Sequence, residues 1–141
     1  MTTTPTGVAD DIRHALAEKL IAFLETNRDP EGLFAPDVFC DYVSPLWRQQ
    51  ASGRDDVIAL RVAGHPSTGR VPRWRFDPTP TGFVLEFNEE WECDGDLWTA
   101  HEMARCDATH DGIVEITVLC TGDWSSNSRA KHAAAVTLLR P

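Results

Sequence analysis

No stretch of this 141-residue chain is apolar for the length needed to span a bilayer, so no membrane-spanning role is expected. Basic residues are also scarce. Thirteen Lys and Arg face twenty-two Asp and Glu, and the resulting net charge of -9 argues against nucleic acid or an anionic membrane as partner. Four cysteines, Cys40, Cys93, Cys106 and Cys120, lie far apart with no Cys-x-x-Cys pair, so neither a zinc site nor a thioredoxin-type motif is indicated. They read as buried thiols of a reducing compartment. There is no serine nucleophile elbow, no glycine-rich phosphate cradle and no dinucleotide fingerprint, so no cofactor is expected, and no His, Asp and Glu spacing recommends a metal. Repeats, low-complexity tracts and linkers are absent, which leaves one domain over residues 1–141. Met1–Gly7 reads as a disordered tail lacking the basic start and apolar middle of a signal peptide, and a cytoplasmic location is the expectation.

What is present is a clear alternation of patterns. Val8, Ile12, Leu16, Leu20, Phe23 and Leu24 recur at helical spacing, with Asp10 and Asp11 in the first turn and a stop near Asn27. Residues 31–36 allow one helical turn before a strand over Val38–Val43, which Ser44-Pro45 ends. A second helix is predicted from Ser52, capped by its hydroxyl with Asp55 three residues on, buried through Val57, Ile58 and Leu60 and ended by Gly64. A loop follows from His65 to Val71, then a short edge strand over Arg70–Phe76 and a rigid turn over Asp77–Gly82. Three long strands come next, Gly82–Cys93, Leu97–Asp107 and Gly112–Trp124, the last being the central one. A short helix capped by Ser125 or Ser126 runs through Ala135, followed by the apolar Val136–Leu139.

Strand parity sorts the side chains of the long strands. Phe83, Leu85, Phe87, Glu89 and Trp91 share a mostly apolar face, which carries Glu89 inward. Trp98, Ala100, Glu102, Ala104 and Cys106 form the expected inner face of the next strand, and Val114, Ile116, Val118 and Cys120 that of the last. Asp41 interrupts the apolar Val38–Val43 run. A carboxylate in an apolar pocket has its charged form destabilised, its pKa climbs toward working pH, and it becomes a proton shuttle. Asp41, Glu89 and Glu102 are therefore the leading catalytic candidates, although rim ion pairs, for example to Arg105 or Arg73, would account for any one of them. His132 near Asp123 offers a further Asp/His pair at a pocket mouth, and a capped surface helix accounts for both residues as well. Trp47, Trp91, Trp98 and Trp124, with Phe87, Val118 and Cys120, are the candidate ligand contacts, since flat aromatic groups wall apolar pockets.

The order of helix, short strand, helix and three long antiparallel strands resembles the nuclear transport factor 2-like group, which includes ketosteroid isomerase, the SnoaL-like polyketide cyclases and limonene epoxide hydrolase. Leu33 through Asp41, Ser52 through Val57 and Asp111-Gly112-Ile113-Val114 carry the resemblance. It implies an α+β cone in which a strongly curved, mostly antiparallel sheet and the helices enclose an apolar pocket, with dimers formed through the outer sheet face. By the same resemblance Asp41 matches the isomerase base and Glu102 its protonated pocket acid, while Leu20 stands where its oxyanion tyrosine would be; that departure counts against steroid isomerisation itself. Asp123 matches the acid/base aspartate of the cyclases, provided a bulge at Gly122 turns it inward.

The implied function is a cofactor-independent enzyme of secondary metabolism performing cyclisation, isomerisation or epoxide opening on a hydrophobic small molecule. A non-catalytic binding protein of the same fold is the alternative, and an association module with a vestigial pocket is a third.

Overall fold

The computed structural model describes residues 9–141, so the expected Met1–Gly7 tail and Val8 lie outside the described residues. Helix α1 (Asp10–Thr26) buries Leu16, Ala17, Leu20, Phe23 and Leu24 along one stripe. It stops at Asn27, whose left-handed φ of 58° lets its N–H reach the Phe23 carbonyl at 2.7 Å. Next come β1 (Phe34–Ser44), β2 (Trp47–Ser52), α2 (Arg54–Gly64), β3 (Gly69–Thr79), β4 (Gly82–Cys93), β5 (Asp96–Thr109), β6 (Gly112–Cys120) and α3 (Ser126–Ala135).

The six strands form one curved sheet in the order β2-β1-β6-β5-β4-β3, so β6 is internal as its β-branched run requires. Only β1 and β6 run parallel; the other neighbours are antiparallel. The α+β architecture expected from the element order is the one observed, with α1 and α2 on the concave side. Phe34, Val38, Phe83, Leu85 and Ile113 are completely buried there, each worth about 1.5–3 kcal/mol of transfer free energy. Phe23 meets Phe34 edge to face, with ring centroids 5.4 Å apart.

Local differences from the sequence reading have simple causes. In place of a helical turn over residues 31–36, the chain enters β1 already at Phe34. Ser44 pairs with Trp47, so Pro45-Leu46 is a two-residue turn with Leu46 at φ 60°, and it leads into an edge strand that polarity had concealed. Ser52 is consequently the last residue of β2 rather than a helix cap; Gly53, at φ 92°, precedes α2 and no side chain caps it. The turn expected from Asp77 is shorter, since β3 continues through Thr79. β6 ends at Cys120, and Trp124 makes only an isolated bridge to Thr99. Ser125 does cap α3, accepting from the Ser128 N–H at 3.1 Å. No described helix is long and apolar enough to cross a membrane.

Candidate active site

Between the concave sheet face and the two long helices lies a cavity of about 450 Å³. Leu20, Phe23 and Leu24 of α1 wall one side, and Val57 and Leu60 of α2 another. The sheet contributes Phe34, Cys40 and Tyr42 from β1, Phe87 from β4, Glu102 and Ala104 from β5, and Ile116, Val118 and Cys120 from β6. The exposed Pro45, Gln49, Gly64 and Asp123 mark its mouth.

A buried polar group sits at this cavity. Glu89 and Glu102 occupy inward positions on β4 and β5, one pleat apart, because Phe87 pairs with Glu102 and Glu89 with Ala100. They are 3 % and 4 % exposed. Arg61, one helical turn beyond Val57 on the same face of α2, donates to both Glu89 oxygens, Nη2 to Oε1 at 2.5 Å and Nη1 to Oε2 at 3.2 Å. Its Nη2 also donates to the Leu24 carbonyl at 2.9 Å and its Nε to Asn27 Oδ1 at 3.3 Å, which ties the guanidinium to the end of α1.

Burial pushes the Glu102 carboxyl well above the ordinary glutamate range, and its hydrogen bond with Glu89 and the charge of that neighbour push it further. Glu89 moves the other way. Burial opposes its charge, but the Glu102 hydrogen bond and the Arg61 guanidinium outweigh burial and keep it low. Of the two, Glu102 is thus the more readily protonated, and it is the member that borders the cavity.

Around this pair stand three further polar groups. The Tyr42 hydroxyl is driven above its usual range by burial, by a hydrogen bond with Cys120, and by the charges of Glu102 and Asp123. His65 donates from Nδ1 to the Ser67 carbonyl at 3.0 Å, and its ring meets Trp91 edge to face with centroids 4.3 Å apart. Burial and the nearby Arg61 lower its pKa, so it stays neutral. Asp123 follows Gly122, whose φ of 103° breaks strand parity and brings the aspartate to the mouth. Burial raises its carboxyl.

The expected site residues divide accordingly. Glu102, Asp123, Phe87, Val118 and Cys120 border the cavity, with Glu89 directly behind Glu102. Asp41 does not: Cys40 and Tyr42 take the inward positions of β1, so parity sends Asp41 outward, where Arg48 of β2 grips both its oxygens at 2.9 and 2.7 Å. That hydrogen bond, ahead of charge, holds the Asp41 carboxyl below its usual value, the opposite of what a proton shuttle in an apolar pocket needs. Trp47 is 65 % exposed on the edge strand. Trp91 and Trp98 pack with Ala100 and Cys120 in a small cluster beside the cavity. His132 and Trp124 meet edge to face outside it, centroids 5.2 Å apart.

Three lining groups, Tyr42, Arg61 and His65, were not among the candidates. Tyr42 shares the parity of Cys40, and Arg61 is a charge at i+4 from a core valine, so both signals were present in the sequence. His65 sits in a Gly/Pro loop with no periodicity to betray it. Among the described residues no three His, Cys, Asp or Glu converge as metal ligands.

The sequence matches no family profile and no curated protein. Solved structures do resemble it. A protein described as NTF2-like from Anabaena variabilis superposes with a TM-score of 0.69 over 87 % of this chain and 96 % of its own, at 16 % identity. This chain has the nuclear transport factor 2-like fold. A candidate SnoaL-like polyketide cyclase from Shewanella denitrificans shares that fold at a TM-score of 0.59 and 12 % identity, covering 89 % of this chain and 98 % of its own. So does a phenazine biosynthesis-related protein from Pseudomonas aeruginosa, at 0.60 and 12 % identity over 97 % and 93 %. At such identities the nuclear transport factor 2-like likeness is one of architecture, and the chemistry of the site rests on its own residues.

Proposed function

We propose that this protein is a cofactor-independent catalyst of proton transfer on a hydrophobic small molecule, of the kind that drives isomerisation, cyclisation or epoxide opening. One arrangement carries the reading: the buried Glu102 carboxyl, pushed well above the ordinary glutamate range by burial and by Glu89, borders a largely apolar cavity while Arg61 grips Glu89. Glu102 gives its proton to an oxygen of the bound molecule, and the carboxylate so formed takes a proton from the neighbouring carbon, which restores the acid while Glu89 stays paired with Arg61. Tyr42 offers a second hydroxyl to the same oxygen, and Asp123 at the mouth passes protons between site and solvent. Asp41, tied to Arg48 on the opposite sheet face, has no part in this scheme.

The four unpaired cysteines suit a reducing compartment, which supports a cytoplasmic setting. Exposed Met103 and Leu119 on the convex face support a homodimer through the outer sheet.

The catalytic reading is tested by incubating the protein with 2-tetralone, an enolisable apolar ketone, in deuterated water. The wild type is expected to accelerate exchange of the α-hydrogens, followed by proton NMR, and Glu102→Gln to slow it by about a hundredfold with ketone binding retained. Binding without exchange in the wild type would instead identify a non-catalytic binding protein, the alternative reading of this fold.

A further inference from the structure

We propose that the molecule taken by this cavity carries one ammonium group on an apolar body, and that the ammonium is held between the carboxyls of Glu102 and Asp123. The inference rests on the catalytic reading above and narrows its substrate class.

It follows from what each charged group at the cavity is free to do. Arg61 is the cavity's guanidinium, and it is already spent on Glu89, Leu24 and Asn27. His65 is neutral and its Nδ1–H is committed to the Ser67 carbonyl. An anionic ligand would therefore enter an apolar hollow with no free cation to offset the loss of its hydration. Glu102 and Asp123 are placed the opposite way. Both border the cavity, Tyr42 feels the charge of both, and neither has an ion-pair partner among the described residues. Glu102 is almost completely buried, and the hydrogen bond its carboxyl makes is to another carboxyl. With Glu89 cancelled by Arg61, the carboxyls of Glu102 and Asp123 border the cavity without a counter-charge, on a protein of net charge -9. A ligand cation supplies the missing charge, and the lining includes the aromatic rings of Phe87 and Tyr42, a side-chain class that attracts cations.

The protons balance as follows. An alkylammonium is protonated at pH 7, as a lysine side chain is. When it enters beside protonated Glu102, the carboxyl O–H bond breaks, the proton leaves to solvent, and a carboxylate–ammonium pair remains. Glu102 then enters the reaction already as the carboxylate that takes a proton from carbon, and Tyr42 is left as the donor to the ligand oxygen.

The test is calorimetric titration at pH 7 with three probes sharing one apolar body: 2-naphthylmethylamine, 2-naphthalenemethanol and 2-naphthoate. Each is measured in phosphate and in Tris, whose ionisation enthalpies differ, so that proton release is read directly. The amine is expected to bind about tenfold more tightly than the alcohol and to expel a proton, and naphthoate to bind at least about tenfold more weakly than the alcohol. Glu102→Gln should keep alcohol binding, lose the amine preference and abolish the release; Asp123→Asn should reduce the preference alone. Alcohol binding with no amine preference, or proton release that persists in Glu102→Gln, overturns the ammonium assignment and leaves the cavity reading intact. Failure of all three probes to bind removes the cavity as a ligand site and the catalytic reading with it.

Discussion

Glu89 and Glu102 have the same side chain, similar burial and a shared hydrogen bond, yet they titrate in opposite directions because only Glu89 has a guanidinium. The consequence for stability can be signed. In the unfolded chain both ionise near 4.5. Glu102, raised in the fold, keeps a proton there that the unfolded chain has already released, so its contribution is complete below 4.5 and declines as pH climbs toward its folded value. Glu89, lowered in the fold, contributes above 4.5, and that contribution is lost as pH falls through its folded value. Asp123 follows the sign of Glu102 and His65 the reverse, so the informative quantity is a difference between proteins. Glu102→Gln is expected to gain on the wild type in melting temperature as pH rises from 5.5 to 8, with a limiting slope of about 1.4 kcal/mol per pH unit. An offset that stays constant across this range in a fluorescence melt would mean Glu102 is ionised in the native protein. The inward placement of both glutamates was legible because strand parity is rigid and β4 is apolar at every second residue. Asp41 was misplaced because residue type was followed there instead of parity: Cys40 and Tyr42 flank it and face in.

At the level of elements, the parts that apolar periodicity governs were readable and the parts that polarity or backbone geometry governs were not. α1, β4 and β5 were recognisable because each carries a continuous buried stripe, and β6 because β-branched residues fill most of it. β2 was not, because Trp47–Ser52 is an edge strand of largely exposed residues whose one large apolar side chain, Trp47, lies mostly in solvent. Its omission displaced the start of α2 by making Ser52 look like a cap. Gly112 shows how geometry decides an element: Thr109 pairs with Gly112, so the turn proper is His110-Asp111, and Gly112 at φ 109° carries the chain into β6 beside β1. A Cβ there would stand 2.7 Å from the Leu33 carbonyl oxygen, the group that accepts from the Ile113 N–H at 2.8 Å. Gly112→Ala therefore strains the backbone and pushes apart the only parallel pairing in the sheet. A loss of about 2 kcal/mol is expected, seen as a melting temperature lower by roughly 6 °C. Gly64→Ala is the control, since nothing lies within 4 Å of its Cβ position and no strain should appear. Equal losses at the two positions would show that the Gly112 contact is unimportant.

For the whole molecule, curvature is what separates a hollow inside from a broad face outside, and element order alone pointed to that arrangement. Which residues of the outer face could meet a second copy was not legible, because the sequence shows there only a polar alternation with apolar interruptions. The register brings those interruptions together. Val43 pairs with Leu119, Leu119 with Met103, and Met103 with Glu86, which pairs in turn with Arg75, while Arg48 pairs with Val43 at the other end. One row across the sheet thus has an apolar centre with a charged residue beyond each end, and Leu119 is 52 % and Met103 41 % exposed. Two copies related by a two-fold axis through this row would bury the four side chains of Leu119 and Met103 against one another and leave the charged ends in the solvated rim. Light scattering is expected to give twice the chain mass for the wild type. Leu119→Glu would place two carboxylates face to face at the axis and give a monomer with an unchanged circular dichroism spectrum, whereas Leu139→Glu, at an exposed site on the C-terminal segment, would leave the dimer intact. A monomeric wild type, or a Leu119→Glu dimer of unaltered affinity, would assign the outer face to solvent and locate any self-association elsewhere.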